Sequence, residues 1–298
     1  MLPVRALLRG VSRSAQRLRY FSAPATTLAA AAAARTSDTS LLSSLASSAA
    51  SAASSASPSS AVESLLAVAQ LGVITDDAVV GPLVGRVRAT APELDAPSVS
   101  AAAWAAAALE VTDVAVWDAL RVAVARVDGK PTTPKAAAQL LAADLVAPTQ
   151  LLDKAAIARL TALLPPLSES PAPASVDLAT LVSTLGYQPQ RILINKNFID
   201  AAVVVLATGL GKTVIELDGP AAFLAGASLE RATPTGETRM HTRVLRALGF
   251  SVVRIPFYEW AVLETDATRK MYLAAKIMGS PVWDKEAPGA DKHPLAKM

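Results

Sequence analysis

The chain has 298 residues, of which 52% are hydrophobic and 4% aromatic, with 28 basic and 25 acidic side chains and no cysteine. The absence of cysteine excludes disulfides, thiolate chemistry and a cysteine-ligated zinc site. The two histidines, His241 and His293, leave little for a histidine-based metal site. No apolar run approaches the roughly 18 residues that a membrane span requires, so we expect a soluble protein without a span.

Residues 1–37 are predicted to be a targeting segment. They contain six arginines, separated by leucines and valines, and no acidic residue, a pattern typical of a mitochondrial presequence. The run Arg19-Tyr20-Phe21-Ser22 resembles a matrix-peptidase site. We therefore expect the mitochondrial matrix, with the chloroplast as runner-up, and the alternative is a basic arm that binds nucleic acid. Without this segment 22 basic and 25 acidic residues remain, so the rest of the chain is not basic overall.

Residues 38–60 are almost entirely serine and alanine. They offer few large apolar groups to offset the entropy cost of ordering the chain, so the sequence predicts a flexible linker, with some nascent helix.

Residues 61–186 are predicted to form an α-helical repeat region. Apolar residues recur at helical spacing, and several positions repeat every 37 residues, as at Thr75, Thr112 and Thr149. About three helix–turn–helix units of an α-solenoid would account for this period, with residues 176–185 as one more helix against the C-terminal domain. Trp104 and Trp117 occupy apolar helical positions, which favours core packing over base stacking.

The charge of this region argues against RNA tracking. Residues 38–190 carry 8 basic and 14 acidic side chains, a poor match for phosphate. The sequence therefore favours protein contacts or scaffolding by the acidic helices, and an irregular bundle without a base-reading code is the alternative.

The composition changes at Tyr187, where a domain over residues 187–278 is predicted. Two apolar segments, 201–207 and 213–217, read as strands of a hairpin. The loop between them is part of the string ATGLGKT, which imitates a phosphate-binding loop. We reject that interpretation because Leu206 stands where the first glycine of the loop is required and a strand follows Thr213. A helix over 237–248, ended by Gly249, and a strand over 251–256 are predicted to follow.

The blocks IELDGP, PTG and LRALGFSVVRIPFYEW, in this order, resemble the RAP domain. This resemblance implies an RNA-binding module of mitochondrial and plastid proteins, with a fold similar to very-short-patch repair endonucleases. Many members of that family have a histidine shortly after the DGP turn, where this chain has Ala222. The helical region, with its block from Ser98 to Trp104, is similar to the octotricopeptide-like helix pairs that often precede RAP domains.

Three carboxylates make a metal-dependent nuclease one hypothesis. Asp200 precedes the first strand, and Glu216 and Asp218 are two apart on the second, so they could converge on Mg²⁺. Asp218 stands where such nucleases commonly have lysine, and Lys212 is the nearest substitute. The alternative, which we favour, is that Asp218 caps its turn and Glu216 pairs with a basic residue of the helix.

The basic helix provides the RNA-binding hypothesis. The region 191–276 carries 11 basic and 8 acidic residues, and Arg239, Arg243 and Arg246 form one stripe at i, i+4 and i+7. Arg254, Lys212 and Tyr258 complete the predicted contact residues, because guanidinium and aromatic planes stack on unpaired bases.

The sequence thus predicts an α-helical repeat region followed by a small restriction-endonuclease-like α/β RAP domain and a loose tail over 279–298. The predicted function is binding of mitochondrial RNA in processing, stability or translation, without catalysis and without a cofactor. The alternatives are a structural subunit of a mitochondrial ribosome or similar assembly, and a Mg²⁺-dependent endoribonuclease.

Overall fold

The structure is a computed structural model that describes residues 27–127, 133–165, 173–193, 202–208, 211–225 and 232–279. For 173–176, 190–193, 202–208 and 211–212 it describes the backbone. Within these ranges an α-helical region precedes a small α/β domain, so the predicted fold class is confirmed. None of the described helices is long and apolar enough to cross a membrane.

The helical region is built from antiparallel helix pairs. Inner helices pack side by side in the order α1, α3, α5, α7, and the outer helices α2, α4 and α6 pack alongside them. The bounds are α1 Leu28–Ala34, α2 Thr39–Ala52, α3 Pro58–Leu71, α4 Asp77–Thr90, α5 Ala96–Ala108, α6 Val114–Val127, α7 Pro134–Val146, α8 Lys154–Ala162 and α9 Pro173–Thr184.

The segment predicted as a flexible linker is helical, which corrects the sequence-based prediction for residues 38–60. Asp38 caps α2 by accepting a hydrogen bond from the Leu41 amide at 3.0 Å. Leu42 and Ala46, one turn apart, are 2% and 0% exposed against the neighbouring helices. Tertiary packing of a narrow apolar stripe therefore orders a helix that its composition alone would leave marginal.

The first helix pair, α1 and α2, also extends the repeat beyond the predicted three units. Leu28, Ala31 and Ala32 of α1 are buried, and α1 packs against α3. The described part of the region therefore contains four helix pairs, and the first begins inside the segment 1–37 that was assigned to targeting.

Aspartates at the starts of the outer helices explain much of the acidic charge of this region. Asp76 and Asp153 cap α4 and α8, and Asp113 accepts a hydrogen bond from the Ala115 amide at the start of α6. Side-chain oxygens at this position satisfy amides that have no partner within the helix. These three aspartates lie at the edge where inner helices turn into outer ones, whereas Asp95 caps the inner helix α5 at the opposite edge.

The aromatic side chains of the helical region are core residues, as predicted. Trp104 and Trp117 are 7% and 1% exposed, and the indole N–H of Trp117 donates to the Val111 carbonyl at 2.8 Å. Neither ring is available for stacking on a base.

The α/β domain contains a four-stranded sheet in the order β1, β2, β3, β4, formed by Gln188–Leu193, Ala202–Thr208, Gly211–Asp218 and Ser251–Pro256. The first three strands are antiparallel, and β4 lies parallel to β3. The pair Thr208 and Gly211 closes the predicted hairpin. The strand β1 was not predicted from the sequence.

Three helices complete the domain in the described residues: α10 Gly236–Ala247, α11 Phe257–Ala261 and α12 Asp266–Met278. Helix α9 packs against α12, β1 and β2, which confirms its predicted place. This side of the sheet has its own core, with Ile215, Val253 and Leu273 among its buried residues.

The other side of the sheet shares its core with the helical region. Met240, Val244 and Leu245 of α10 are buried in the same cluster as the inner helices, together with Val214 of β3. Helix α10 packs against α3, α5 and α7. The predicted domain boundary near residue 187 therefore does not separate two independent cores.

Candidate functional site

The two carboxylates of β3 lie on one face of the sheet, as the alternation of the strand predicts. Glu216 pairs in register with Arg254 of β4, and Asp218 pairs with Pro256. Arg254 therefore projects from the neighbouring strand directly beside both carboxylates. The register of a parallel pair, which the sequence does not specify, creates this arrangement.

Arg254 holds both acids at once. Its Nε donates to Asp218 Oδ2 at 2.7 Å, its Nη2 bonds to the other oxygen of the same carboxylate, and its Nη1 donates to Glu216 Oε2 at 2.6 Å. A further bond runs from Nη1 to the Thr242 hydroxyl of α10 at 2.8 Å. The fork of a guanidinium matches a carboxylate in this bidentate manner, so Arg254 is an internal partner of the acids.

His241 completes the cluster from α10, and its pKa is low. Its Nδ1 lies 3.3 Å from Glu216 Oε1, and its Nε2 is buried and has no hydrogen-bond partner among the described residues. Burial, followed by the charge of Arg254, lowers the pKa of His241 to about 4. The ring is therefore neutral at physiological pH, and only one of its two nitrogens then carries a proton.

Glu216 is the acid whose ionisation is most perturbed. Burial raises the pKa of its carboxyl to about 7, and Asp218 adds to this rise, although the Arg254 guanidinium opposes it. Glu216 and Asp218 share one cation, Arg254. Arg254 makes two of its bonds to Asp218 and one to Glu216. The sequence predicted that Glu216 pairs with a basic residue of the helix. Glu216 does lie beside a helix residue, His241, but the basic partner of both acids is Arg254 on β4.

The cluster does not suit a metal ion. A Mg²⁺ ion held by Glu216 and Asp218 would have to displace the guanidinium that already binds three of their oxygens. Asp200, the third predicted ligand, lies outside the described residues. Within the described part of the chain, no group of three or more histidine and acidic side chains could hold a metal.

Two arginines of the α10 stripe contact the helical region. Arg239 Nη1 donates to the carbonyl of Gly72, the residue that caps the C-terminus of α3, at 2.7 Å. Arg243 Nη1 bonds to the carbonyl of Ala107 near the C-terminus of α5, and its Nε lies 3.8 Å from Glu110 Oε1. These carbonyls carry the negative end of the helix dipole, so the cations stabilise the ends of two inner helices.

The three arginines of the stripe differ in their availability. Burial lowers the pKa of Arg243, with Glu110 opposing, and both Arg239 and Arg243 have donors committed to the helical region. Arg239 is nevertheless exposed, and so is Arg246, farther along the same helix. The predicted role of the stripe in RNA binding stays a prediction, but its first two members have an intramolecular partner that sequence reasoning missed.

A close contact between two glycines fixes how α10 meets α3. Gly236, the first residue of α10, lies so near the end of α3 that a Cβ there would be 1.6 Å from the Ala69 carbonyl oxygen. Gly72 has φ 69° in the left-handed region, and a Cβ there would lie 2.7 Å from the Gly236 nitrogen. The PTG block therefore serves a backbone contact between the two parts of the chain.

The remaining predicted residues occupy other places. Tyr258 lies at the carboxyl end of β4, beside Phe223 and Phe257, and the side chain of Lys212 is outside the described residues. The carbonyl of Ala222 accepts hydrogen bonds from the Thr235 amide at 2.9 Å and the Thr238 hydroxyl at 2.8 Å. The backbone carbonyl of residue 222 thus stabilises the start of α10 by hydrogen bonds that do not depend on the side chain at this position.

These features agree with the comparison with known families. The model of the RAP domain matches residues 215–276, from β3 to the last turns of α12. The chain contains a RAP domain. A RAP domain indicates an RNA-binding role, and the resemblance stated from the sequence is confirmed. A comparison with curated proteins gives no match.

Proposed function

We propose that this protein binds mitochondrial RNA through its RAP domain and acts in RNA processing, stability or translation without catalysing a reaction. The observation that carries the proposal is the state of the β3 carboxylates inside the matched domain. Glu216 and Asp218 are 9% and 6% exposed and are bonded to Arg254. The domain is therefore better suited to binding than to metal-dependent hydrolysis.

The full chain and single-stranded RNA provide the first test. We expect binding in fluorescence anisotropy, and no cleavage of the RNA when Mg²⁺ is added. The endoribonuclease alternative predicts Mg²⁺-dependent cleavage that Glu216→Ala abolishes. Cleavage of that kind would refute the proposal, and so would the absence of any affinity for RNA.

The arginine stripe needs a more selective test than reversal of all three charges. Glutamate at Arg239 or Arg243 would break the contacts with α3 and α5, so a loss of binding could come from a damaged fold. Arg246→Glu avoids this because Arg246 is exposed. If Arg246 contacts phosphate, this variant lowers affinity and reduces the salt dependence of binding by about one charge.

The mitochondrial location is part of the proposal and rests on the arginine-rich N-terminus. The packing of α1 limits how many N-terminal residues can be removed without loss of contacts. Leu28 is 5% exposed, and the Ser37 amide bonds to the Ala225 carbonyl of the RAP domain at 3.0 Å. Removal of all 37 residues would delete these contacts. We therefore propose a processing site near Ser22, as the sequence suggests, and N-terminal sequencing after import into isolated mitochondria tests it against cleavage after residue 37.

A structural role in a ribosome or similar assembly is the second candidate. It is favoured by an open groove of about 490 Å³ between α6 and the start of α8, bordered by Val122 and Ala156 and by the polar side chains of Arg121, Gln150 and Asp153. Val122 is 60% exposed in this groove. Co-sedimentation with ribosomal subunits, lost in Val122→Asp, would distinguish this role from that of a free RNA-binding factor.

A further inference from the structure

Three aromatic rings meet at the edge of the sheet where the parallel strands β3 and β4 end. Phe223 follows the turn after β3, and Phe257 and Tyr258 follow β4 directly. The Tyr258 ring lies 5.6 Å from Phe223 and 5.5 Å from Phe257, both edge to face. We call Phe223, Phe257 and Tyr258 the aromatic edge.

The rings of the aromatic edge differ in exposure. Phe223 is 6% exposed and forms its base, whereas Phe257 and Tyr258 are half-buried. The adjacent turn Gly219–Ala221 is exposed, and no described atom lies within 4 Å of a Cβ built on Gly219. A flat ligand can therefore approach the two outer rings past a turn that presents little side chain.

Much of the acidic charge around the aromatic edge is paired within the fold. Asp218 is held by Arg254, and Glu259, the neighbour of Tyr258, lies 3.0 Å from the Lys276 ammonium and accepts a bond from the Tyr272 hydroxyl. A polyanion that approaches this edge thus meets carboxylates that already have cationic partners. Arg254 and Lys276 thus offset part of the repulsion that Glu216, Asp218 and Glu259 would otherwise exert on RNA.

The other candidate surface, the arginine stripe of α10, is partly engaged within the molecule, although Arg239 and Arg246 remain exposed. Arg239 and Arg243 are bonded to the inner helices, and α10 packs between the sheet and the helical region. On the opposite side of the sheet, Trp260 packs against the second core, with the Arg269 guanidinium 5.3 Å from its ring centre. Of the described aromatic groups in the RAP domain, those of the aromatic edge are the best placed to meet RNA.

We propose that the aromatic edge binds unpaired bases of single-stranded RNA by stacking, with Tyr258 and Phe257 as the stacking side chains. This inference rests on the proposed function. Aromatic rings bind bases of any sequence because every base has a π-face, and the carboxyl ends of parallel strands are a common place for ligands. The contribution of this contact does not depend on salt, because no phosphate is neutralised.

The test compares two substitutions of Tyr258 in the full chain. Tyr258→Leu keeps an apolar side chain for packing but removes the ring, and Tyr258→Phe keeps the ring. Affinity for a uridine oligonucleotide of about 20 residues, a length that exceeds one binding module, is measured by anisotropy at about 50 and 200 mM salt. Met271→Ala, at a residue 74% exposed on α12, is the surface control.

We expect Tyr258→Leu to weaken binding by about fivefold or more, equally at both salt concentrations, since loss of one stacked base costs about 1–3 kcal/mol. Tyr258→Phe and Met271→Ala should bind like the wild type, and circular dichroism should show equal folding of all variants. Ultraviolet crosslinking of the wild type should attach RNA to the peptide that contains Phe257 and Tyr258.

The outcomes separate this inference from the proposed function. If the wild type binds RNA and Tyr258→Leu binds as tightly, the aromatic edge is not the contact while RNA binding stands. A loss in Tyr258→Leu that Tyr258→Phe shares would equally overturn stacking. If the wild type binds neither the single strand nor an RNA duplex, the proposed function itself fails.

Discussion

Replacement of Gly236 by alanine is the sharpest probe of how the RAP domain joins the helical region. Alanine in the first turn of a helix is normally favourable relative to glycine by up to about 1 kcal/mol. Here the new Cβ would lie 1.6 Å from the Ala69 carbonyl oxygen, and it must retreat by about 1.4 Å to reach the shortest tolerable contact of 3.0 Å. The start of α10 must therefore move away from α3.

The cost of this movement follows from the contacts that it breaks. A retreat of that size stretches the 2.7 Å bond between Arg239 and the Gly72 carbonyl beyond hydrogen-bond range. A hydrogen bond to a charged group contributes about 1.5–3 kcal/mol, and overpacking of a close contact costs about 1–3 kcal/mol. We expect Gly236→Ala to destabilise the protein by about 3 kcal/mol, which lowers the melting temperature by roughly 6–12 °C.

Gly85 in the interior of α4 is the matched control. No atom lies within 4 Å of a Cβ built there, so Gly85→Ala should stabilise the helix by up to about 1 kcal/mol and raise the melting temperature by roughly 2–4 °C. Thermal unfolding of both full-length variants, followed by circular dichroism at equal concentration, provides the comparison. A Gly236→Ala protein that melts at or above the wild-type temperature would refute the close contact between α10 and α3.

Two further predictions concern the buried charges. Arg243→Met should lower the free energy of unfolding by about 1.5–3 kcal/mol, because the carbonyl of Ala107 loses a charged donor. Arg246→Met should change it by no more than about 0.5 kcal/mol. Equal free energies of unfolding for the two variants in urea titrations would contradict the contact between Arg243 and the helical region. Glu216 has a raised pKa in the folded protein, about 7 against 4.5, so its stabilising contribution is complete below pH 4.5 and is lost as the pH rises through 7. Glu216→Gln should therefore gain up to about 3 kcal/mol of stability relative to the wild type between pH 4.5 and 8, and a pH-independent difference in urea titrations would disprove the raised pKa.

The segregation of charge along the chain has a structural explanation. The helical region is acidic in part because aspartates cap its helices, as at Asp76 and Asp153, and the edge where its inner helices end also carries the negative helix ends. The RAP domain is basic in part because Arg239 and Arg243 bind that edge. Arginines of the RAP domain therefore contact the negative edge of the helical region within one molecule. The net charge of the RAP segment is consequently larger than the positive charge that is available to bind RNA.

The local chemistry of the sequence predicted the elements of the RAP domain well. Helix α10, strand β4 and the hairpin lie within a few residues of their predicted bounds, because β-branched runs, the DGP turn and Gly249 mark them locally. The same alternation placed Glu216 and Asp218 on one face. The prediction failed at residues 38–60, where an alanine- and serine-rich helix depends on burial of Leu42 and Ala46 against its neighbours.

The partners of the charged side chains could not be read from the sequence. Arg254 lies 36 residues from Asp218, and only the parallel register of β3 and β4 brings them together. Arg243 meets Ala107 across 136 residues, a contact for which no periodic signal exists. Spacing along a helix shows that three arginines share a face, but it does not show what that face meets.

The sequence by itself determined the order of helices and strands, the RAP motif and the location of the acids and arginines on their elements, because these follow from local periodicity and turn chemistry. Only the tertiary structure decided how the charges are used. Burial leads Arg254 to pair with the two carboxylates, and the ends of the inner helices bind two arginines of α10, since unpartnered buried charges and carbonyls would be costly. The surface available to a partner therefore consists of the side chains that are not already paired within the protein.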